Sequence, residues 1–172
     1  MDKELSKSLS VIKYIGYYQI LFGVIGTLAF LLVDLSNIFR NPLYILSPIL
    51  VTLSFIAGVN MIKVQKAGLK ATVVFQALQI ISFATPLFAY TFSNGLFLKL
   101  FISESIKLNW TNSILFDNYH LTIEPGLPAY YLEINLIPIA IIYLANKYWK
   151  KYEELEGIKE ESKHSQEEVI DN

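Results

Sequence analysis

Lysine and arginine are missing from four long stretches of this chain: Tyr14 to Phe39, Asn41 to Ile62, Ala71 to Leu98 and Leu108 to Asn146. Soluble domains spread their charges, which make up about a quarter of their residues. Here 17% of residues are charged and 53% are hydrophobic. At roughly 1.5 Å per residue, each stretch holds a helix able to cross roughly 30 Å of hydrocarbon. An isolated strand in lipid would leave its backbone groups unpaired, so helix is the expected form. The expected spans are 14–35, 43–62, 69–92 and 128–148, within a transmembrane domain of 14–152. A leader (1–13) precedes it and an acidic tail (153–172) follows. The fold class expected is therefore an all-α membrane protein, a four-transmembrane-helix bundle with a small β-hairpin module in the outer loop at 93–127.

The remaining basic residues set the orientation. Lys3, Lys7 and Lys13 lie in the leader, Lys63, Lys66 and Lys70 between the second and third spans, and Lys147, Lys150 and Lys151 after the fourth. In a four-span chain these three segments share one side, which the positive-inside rule makes cytoplasmic. The expected location is the cell membrane, multi-pass, with both termini cytoplasmic and the lipid bilayer as first partner. Tyr14, Tyr17 and Tyr18 at one edge, and Tyr148, Trp149 and Tyr152 at the other end of the chain, suit the membrane–water interface. The first apolar run is too long for a typical signal peptide and lacks an Ala-x-Ala site, so it reads as a retained span. Leu5, Leu9 and Ile12 recur at helical spacing in the leader, as in an interfacial helix, with a frayed terminus as the equal alternative. The Glu-rich end reads as a disordered tail.

In the outer loop the hydrophobic period changes to two. Ile106, Leu108 and Trp110 alternate with Lys107, Asn109 and Thr111, and Tyr119, Leu121 and Ile123 alternate with His120, Thr122 and Glu124. This predicts two half-buried strands joined by Asn112-Ser113 and Asp117-Asn118 turns. Leu108, Trp110, Leu121 and Ile123 are expected to face the helix ends, and Lys107, Asn109, His120 and Thr122 to form an exposed polar face. Asn109-Trp110-Thr111 matches a glycosylation sequon, a short and frequent motif best read as chance.

Ionisable residues inside a span mark candidate sites. Asp34 and Glu133 qualify, both toward the outer side. Glu133 is expected a few residues into the fourth helix, as a proton or cation ligand or as the structural partner of Lys99, Lys107 or a tyrosine. Gln19, Asn60 and Gln76 fall in the inner halves of their helices, where amides join helices or line a polar vestibule; Gln79 and Asn135 are the other uncharged polar candidates. Gly16, Gly23, Gly26 and Gly58, with Thr27 and Ser54, give small-residue spacings that let helices approach. Pro86 and Pro138 are expected to bend the third and fourth spans.

Other chemistry is absent from the sequence. There is no cysteine, which removes thiolate metal sites, Cys nucleophiles and Cys-based redox chemistry. Walker, dinucleotide, His-Glu-x-x-His and Gly-x-Ser-x-Gly motifs are missing. His120 and His164 have no neighbours at metal-ligand spacing. A net charge of −1 without a basic aromatic patch gives nucleic acid no footing. No cofactor is expected. From Gly58 to Phe83, the Lys-x-x-Lys-x-Gly-Leu-Lys turn and the following Gln-Ala-Leu-Gln resemble small uncharacterised four-span bacterial membrane proteins, which implies the four-span plan but no activity and no site residues. The expected function is a non-catalytic multi-pass protein that binds a membrane-protein partner, forms a homo-oligomer or serves as an accessory subunit. The alternative is a small transporter or channel subunit. An intramembrane enzyme has no positive support.

Overall fold

In the computed structural model the described residues are 2–32, 46–84, 89–92, 98–102, 106–109, 119–122 and 131–170. Helix α1 (Asp2–Leu32) runs unbroken, so the leader and the first span are one helix. Hydroxyls within the helices bond back to their own carbonyls, Thr27 Oγ1 to Gly23 O (2.9 Å) and Thr52 Oγ1 to Pro48 O (2.7 Å), which lets polar residues sit in apolar helices. Helix α2 (Leu46–Ile62) is followed after three residues by α3 (Lys66–Ala77). Between them Val64 N–H donates to Met61 O (3.0 Å) and Gln65 N–H to Asn60 O (2.9 Å). This is a Schellman cap, with Val64 in the left-handed region at φ 55°. Helix α4 (Leu136–Ile170) is the longest element.

α1 packs on α2 and α4, and α3 packs on the same two, so the four helices form a closed ring of neighbours. Gly16 and Gly58 let α1 and α2 touch backbone to backbone: a Cβ on Gly16 would lie 2.8 Å from Gly58 O, and one on Gly58 2.7 Å from Gly16 O. Near the start of α1, Ile12, Ile15, Met61, Ala145 and Trp149 form an apolar core. Trp149 is therefore buried inside the bundle rather than placed at an outer interface. Glu4 and Lys151 pair there across α1 and α4, and Lys66 and Glu153 (3.5 Å) across α3 and α4. The Lys151 ammonium beside Glu4 holds its carboxyl below the usual range.

Two spans differ from expectation. The third does not continue to Phe92 as a helix. α3 ends at Ala77, and strands β1 (Ile81–Ala84) and β2 (Ala89–Phe92) follow. β-branched and aromatic residues from Ile80 onward favour strand, and Pro86 disfavours helix in the residue before it; Pro86 itself lies outside the described residues. The fourth span begins as strand β6 (Tyr131–Asn135) and becomes helical only at Leu136. Pro138 then falls in the first turn of α4, where a missing N–H costs no helical bond, so it starts that helix instead of bending it. The tail differs too: α4 stays helical to Ile170, where a disordered end was expected.

With β3 (Lys99–Ile102), β4 (Ile106–Asn109) and β5 (Tyr119–Thr122) the strands form one antiparallel sheet in the order β4-β3-β6-β1-β2-β5. The outer-loop alternation does mark strands, β4 and β5. They do not pair as a hairpin, however: β4 pairs with β3, β5 pairs with β2, and the two occupy opposite edges. β2 comes from a segment read as helix, and β3 from a part of the outer loop with no alternation, which is why the pairing was not legible. The protein is thus mostly helical, with four helices and an antiparallel sheet among its described residues. One described helix, at Lys3–Leu28, is long and apolar enough to cross a membrane, and Pro48–Ile62 is a shorter apolar helix. A signal sequence or a buried core helix has the same length and composition, so the exposure of its faces matters more than its hydropathy.

Candidate functional site

The polar residues of the helices converge inside the bundle. Gln19 of α1 is 1% exposed, and Ser54, Thr72 and Gln76 are equally sequestered. Ser54 Oγ donates to the Gln19 carbonyl (3.1 Å), and Thr72 Oγ1 donates to Gln19 Oε1 (3.3 Å). Three helices therefore meet on one glutamine. Gly68, Thr72, Gln76 and Gln79 recur at helical spacing along α3 and the turn after it, and all are buried, so the seam continues along one face. Gln79 Nε2 lies 3.5 Å from Phe75 O.

Asn135 closes the seam where α3, the sheet and α4 meet. Its N–H donates to Ile80 O (2.7 Å), and its Oδ1 accepts from Leu98 N–H (3.1 Å) and Ile137 N–H (3.3 Å). The Ile137 bond makes Asn135 the N-cap of α4. Three buried amide nitrogens, Gln19 Nε2, Gln76 Nε2 and Asn135 Nδ2, have no hydrogen-bond partner among the described residues. A buried unpaired donor costs about 1–3 kcal/mol, so each marks a place where an acceptor would be stabilised.

Strand register sorts the sheet into two unlike faces, because directly paired residues share a face and successive ones alternate. Ile81, Ile134, Leu100 and Leu108 form one row, and Phe83, Leu132, Ile102 and Ile106 the next on the same face; Tyr90 and Leu121 continue it through β2 and β5. The opposite face has Ser82, Glu133, Phe101 and Lys107 in one row and Asn135, Lys99 and Asn109 in another. Thr91 and His120 are paired, as are Ala89 and Thr122. The polar face turns inward at its centre: Ser82 and Asn135 are buried, while Ile81 and Leu132 of the apolar face are exposed. The register separates Leu108 and Leu121 from Lys107, Asn109, His120 and Thr122, but the sense is opposite to that expected: at the centre of the sheet the polar face is covered and the apolar face is exposed.

Each candidate can now be placed. Gln19 and Gln76 lie in the buried seam. Asn60 is half-buried at the end of α2, its carbonyl capped by Gln65 N–H. Glu133 is half-buried in a central strand instead of a helix. His120 is in edge strand β5, paired with Thr91 of β2. Asp34 and Trp110 lie outside the described residues. Among the described residues no cluster of three metal-ligating side chains occurs. Thr72 and Ser82 were not singled out beforehand, and Ser54 only as a small residue at a helix approach, although the four-residue step from Thr72 to Gln76 carried the signal. No family model, curated protein or solved structure matches this chain.

Proposed function

We propose that this chain is a multi-pass membrane protein of the cell membrane, with both termini cytoplasmic and a non-catalytic, partner-binding or accessory role. The observation that supports it is inverted polarity. The bundle sequesters Gln19, Ser54, Thr72 and Gln76, while Leu21, Leu28 and Leu31 of α1, Ile49, Leu53 and Phe55 of α2, Val74 of α3 and Ile139 of α4 are exposed. Leu31 is 72% and Val74 61% exposed. In water so many large apolar side chains around one bundle would drive association. In lipid they are solvated, and the amides inside hold the helices together.

In this reading the four passages are unequal. α3, with 12 residues, covers only about 18 Å, and the apolar face of β1 and β6 completes that passage. β1 and β6 are central strands, so their backbone groups are paired on both sides, the condition a strand must meet at membrane depth. A second reading, a small transporter or channel subunit, draws support from the unpaired amide nitrogens in the seam.

The test uses the absence of native cysteine. The protein is expected to stay with membranes through alkaline carbonate extraction. Single cysteines replacing Ser8, Ala67 or Ser162 are expected to resist an impermeant thiol reagent in intact cells, while one replacing Asn112 reacts. Carbonate release, or labelling of the Ala67 position from outside, overturns the placement. A stoichiometric partner recovered in mild detergent supports the accessory role; recovery of the chain alone favours the second reading.

A further inference from the structure

The carboxylates of the bundle are unevenly shared among its helices. No Asp or Glu occurs between Leu35 and Ser103, so α2 and α3 carry none. α4 is where the charges meet. Its Glu153 pairs with Lys66 of α3 (3.5 Å) and its Glu154 with Lys150 (3.9 Å), while Glu4 of α1 turns toward α4 to meet Lys151. α2 lies diagonally across the ring from α4. The α1–α2 edge is thus remote from these pairs, and it carries Lys13 in α1 and Lys63 just past the end of α2. Neither lysine has a carboxylate partner among the described residues.

The two lysines stand at the same end of one groove. A Cβ on Gly16 would meet the Ile62 side chain, and one on Gly58 the Ile20 side chain, so the helices cross there in opposite directions. Lys13 lies one turn before Gly16, and Lys63 follows Ile62. Lys13, Tyr17, Ile20 and Val24 recur at helical spacing on α1. Lys63, Val59 and Phe55 do so on α2, where the Lys63 N–H still donates to Val59 O (3.1 Å). Gln19 and Ser54 occupy the inner side of the crossing, so this side looks outward: Tyr17, Val24 and Phe55 are exposed. Along the groove the surface passes from ammonium to phenol to hydrocarbon. That is the order of layers met on entering one leaflet from its headgroups, with the tyrosine ring at the level where it is half in hydrocarbon.

We propose that the outer α1–α2 groove holds an anionic phospholipid of the cytoplasmic leaflet, its phosphate between Lys13 and Lys63 and an acyl chain along Val24 and Phe55. The proposal rests on the membrane reading and adds to it a lipid class and a place. The lysines supply the charge that attracts an anionic headgroup. The backbone contact at Gly16 and Gly58 keeps the two lysine-bearing helices close.

The test follows the unfolding temperature of the delipidated full-length protein in a non-ionic detergent. Phosphatidylglycerol, phosphatidylcholine and inorganic phosphate are titrated in separate arms. Phosphatidylglycerol is expected to raise the unfolding temperature well beyond phosphatidylcholine, and phosphate to leave it unchanged. The double variant Lys13→Gln, Lys63→Gln is expected to bind phosphatidylglycerol about tenfold or more weakly. Lys150→Gln, exposed on α4, is expected to bind it as wild type does. Native mass spectrometry counts bound lipid directly, so a less stable variant still reports its binding. Equal rises with the two lipids, a rise with phosphate as large as with phosphatidylglycerol, or a double variant that binds like wild type overturns the site. Resistance to carbonate extraction without selectivity for phosphatidylglycerol defeats this site and leaves the membrane reading standing; release by carbonate defeats that reading.

Discussion

Gly16 and Gly23 lie on the same helix seven residues apart, yet the structure gives them different duties. A Cβ on Gly16 would press into Gly58 O at 2.8 Å and the Ile62 side chain at 2.9 Å, whereas one on Gly23 would meet Phe55 at an ordinary 3.5 Å or more. Gly16→Ala must push two backbones apart and is expected to destabilise by about 2–3 kcal/mol, as overpacking of a filled core does. Gly23→Ala fits and gains helix propensity, so it is expected to be neutral or to stabilise by up to about 1 kcal/mol. Unfolding of both variants in the same detergent checks the pair, and equal losses would contradict the contact. The sequence showed both as small residues of the first helix, with Gly23 and not Gly16 in a four-residue small spacing, but only the packing tells which one touches a backbone. The same holds for the amides: their presence in apolar helices was legible, while the joining of Gln19 to Thr72 and Ser54 depends on how three helices rotate about their axes.

Among the elements, the helices α1 and α2 were readable because their apolar runs are long and uninterrupted. The sheet was readable only at its edges. β4 and β5 alternate in a loop, where a period of two stands out; β1, β2 and β6 lie in apolar runs whose length and composition fit helix as well as strand. Asn135 shows the cost of that ambiguity, since it looked like an intramembrane amide and is the cap on which β6 turns into α4. The strand order gives a direct check. Cysteines replacing Leu100 and Leu108, cross-strand neighbours in β3 and β4, are expected to form a disulfide within one chain. Cysteines replacing Leu108 and Leu121 are on opposite edges and are expected not to. The reverse result would restore the simple hairpin.

At the scale of the molecule, the start of α1 is tied to the middle of α4 by Glu4 and Lys151. The Glu4 carboxyl titrates below its usual value because the Lys151 ammonium stabilises its charged form. Its contribution to stability is thus complete above the pKa of the unfolded chain and is lost as pH falls through the lower folded value. The difference in unfolding temperature between wild type and Glu4→Gln is therefore expected to be constant near neutrality and to shrink toward zero in acid. A difference that widens in acid would contradict the pairing.

α4 has 35 residues and no internal break, which makes it about 52 Å long. Its first residue adjoins the cap that anchors three strand ends, and its last turns extend past Lys151 and Glu153, where it pairs with Glu4 of α1 and Lys66 of α3. A helix of that length acts as a lever. Tilting it by about 5° about its middle moves each end by about 2 Å, enough to make or break the hydrogen bonds at Asn135. Gly157, with nothing within 4 Å of its missing Cβ, is the compliant point of the lever, since glycine in an exposed helix lowers stability by about 1 kcal/mol against alanine. Whatever grips the protein beyond Gly157 pulls on a joint, and whatever grips it before Gly157 turns the sheet.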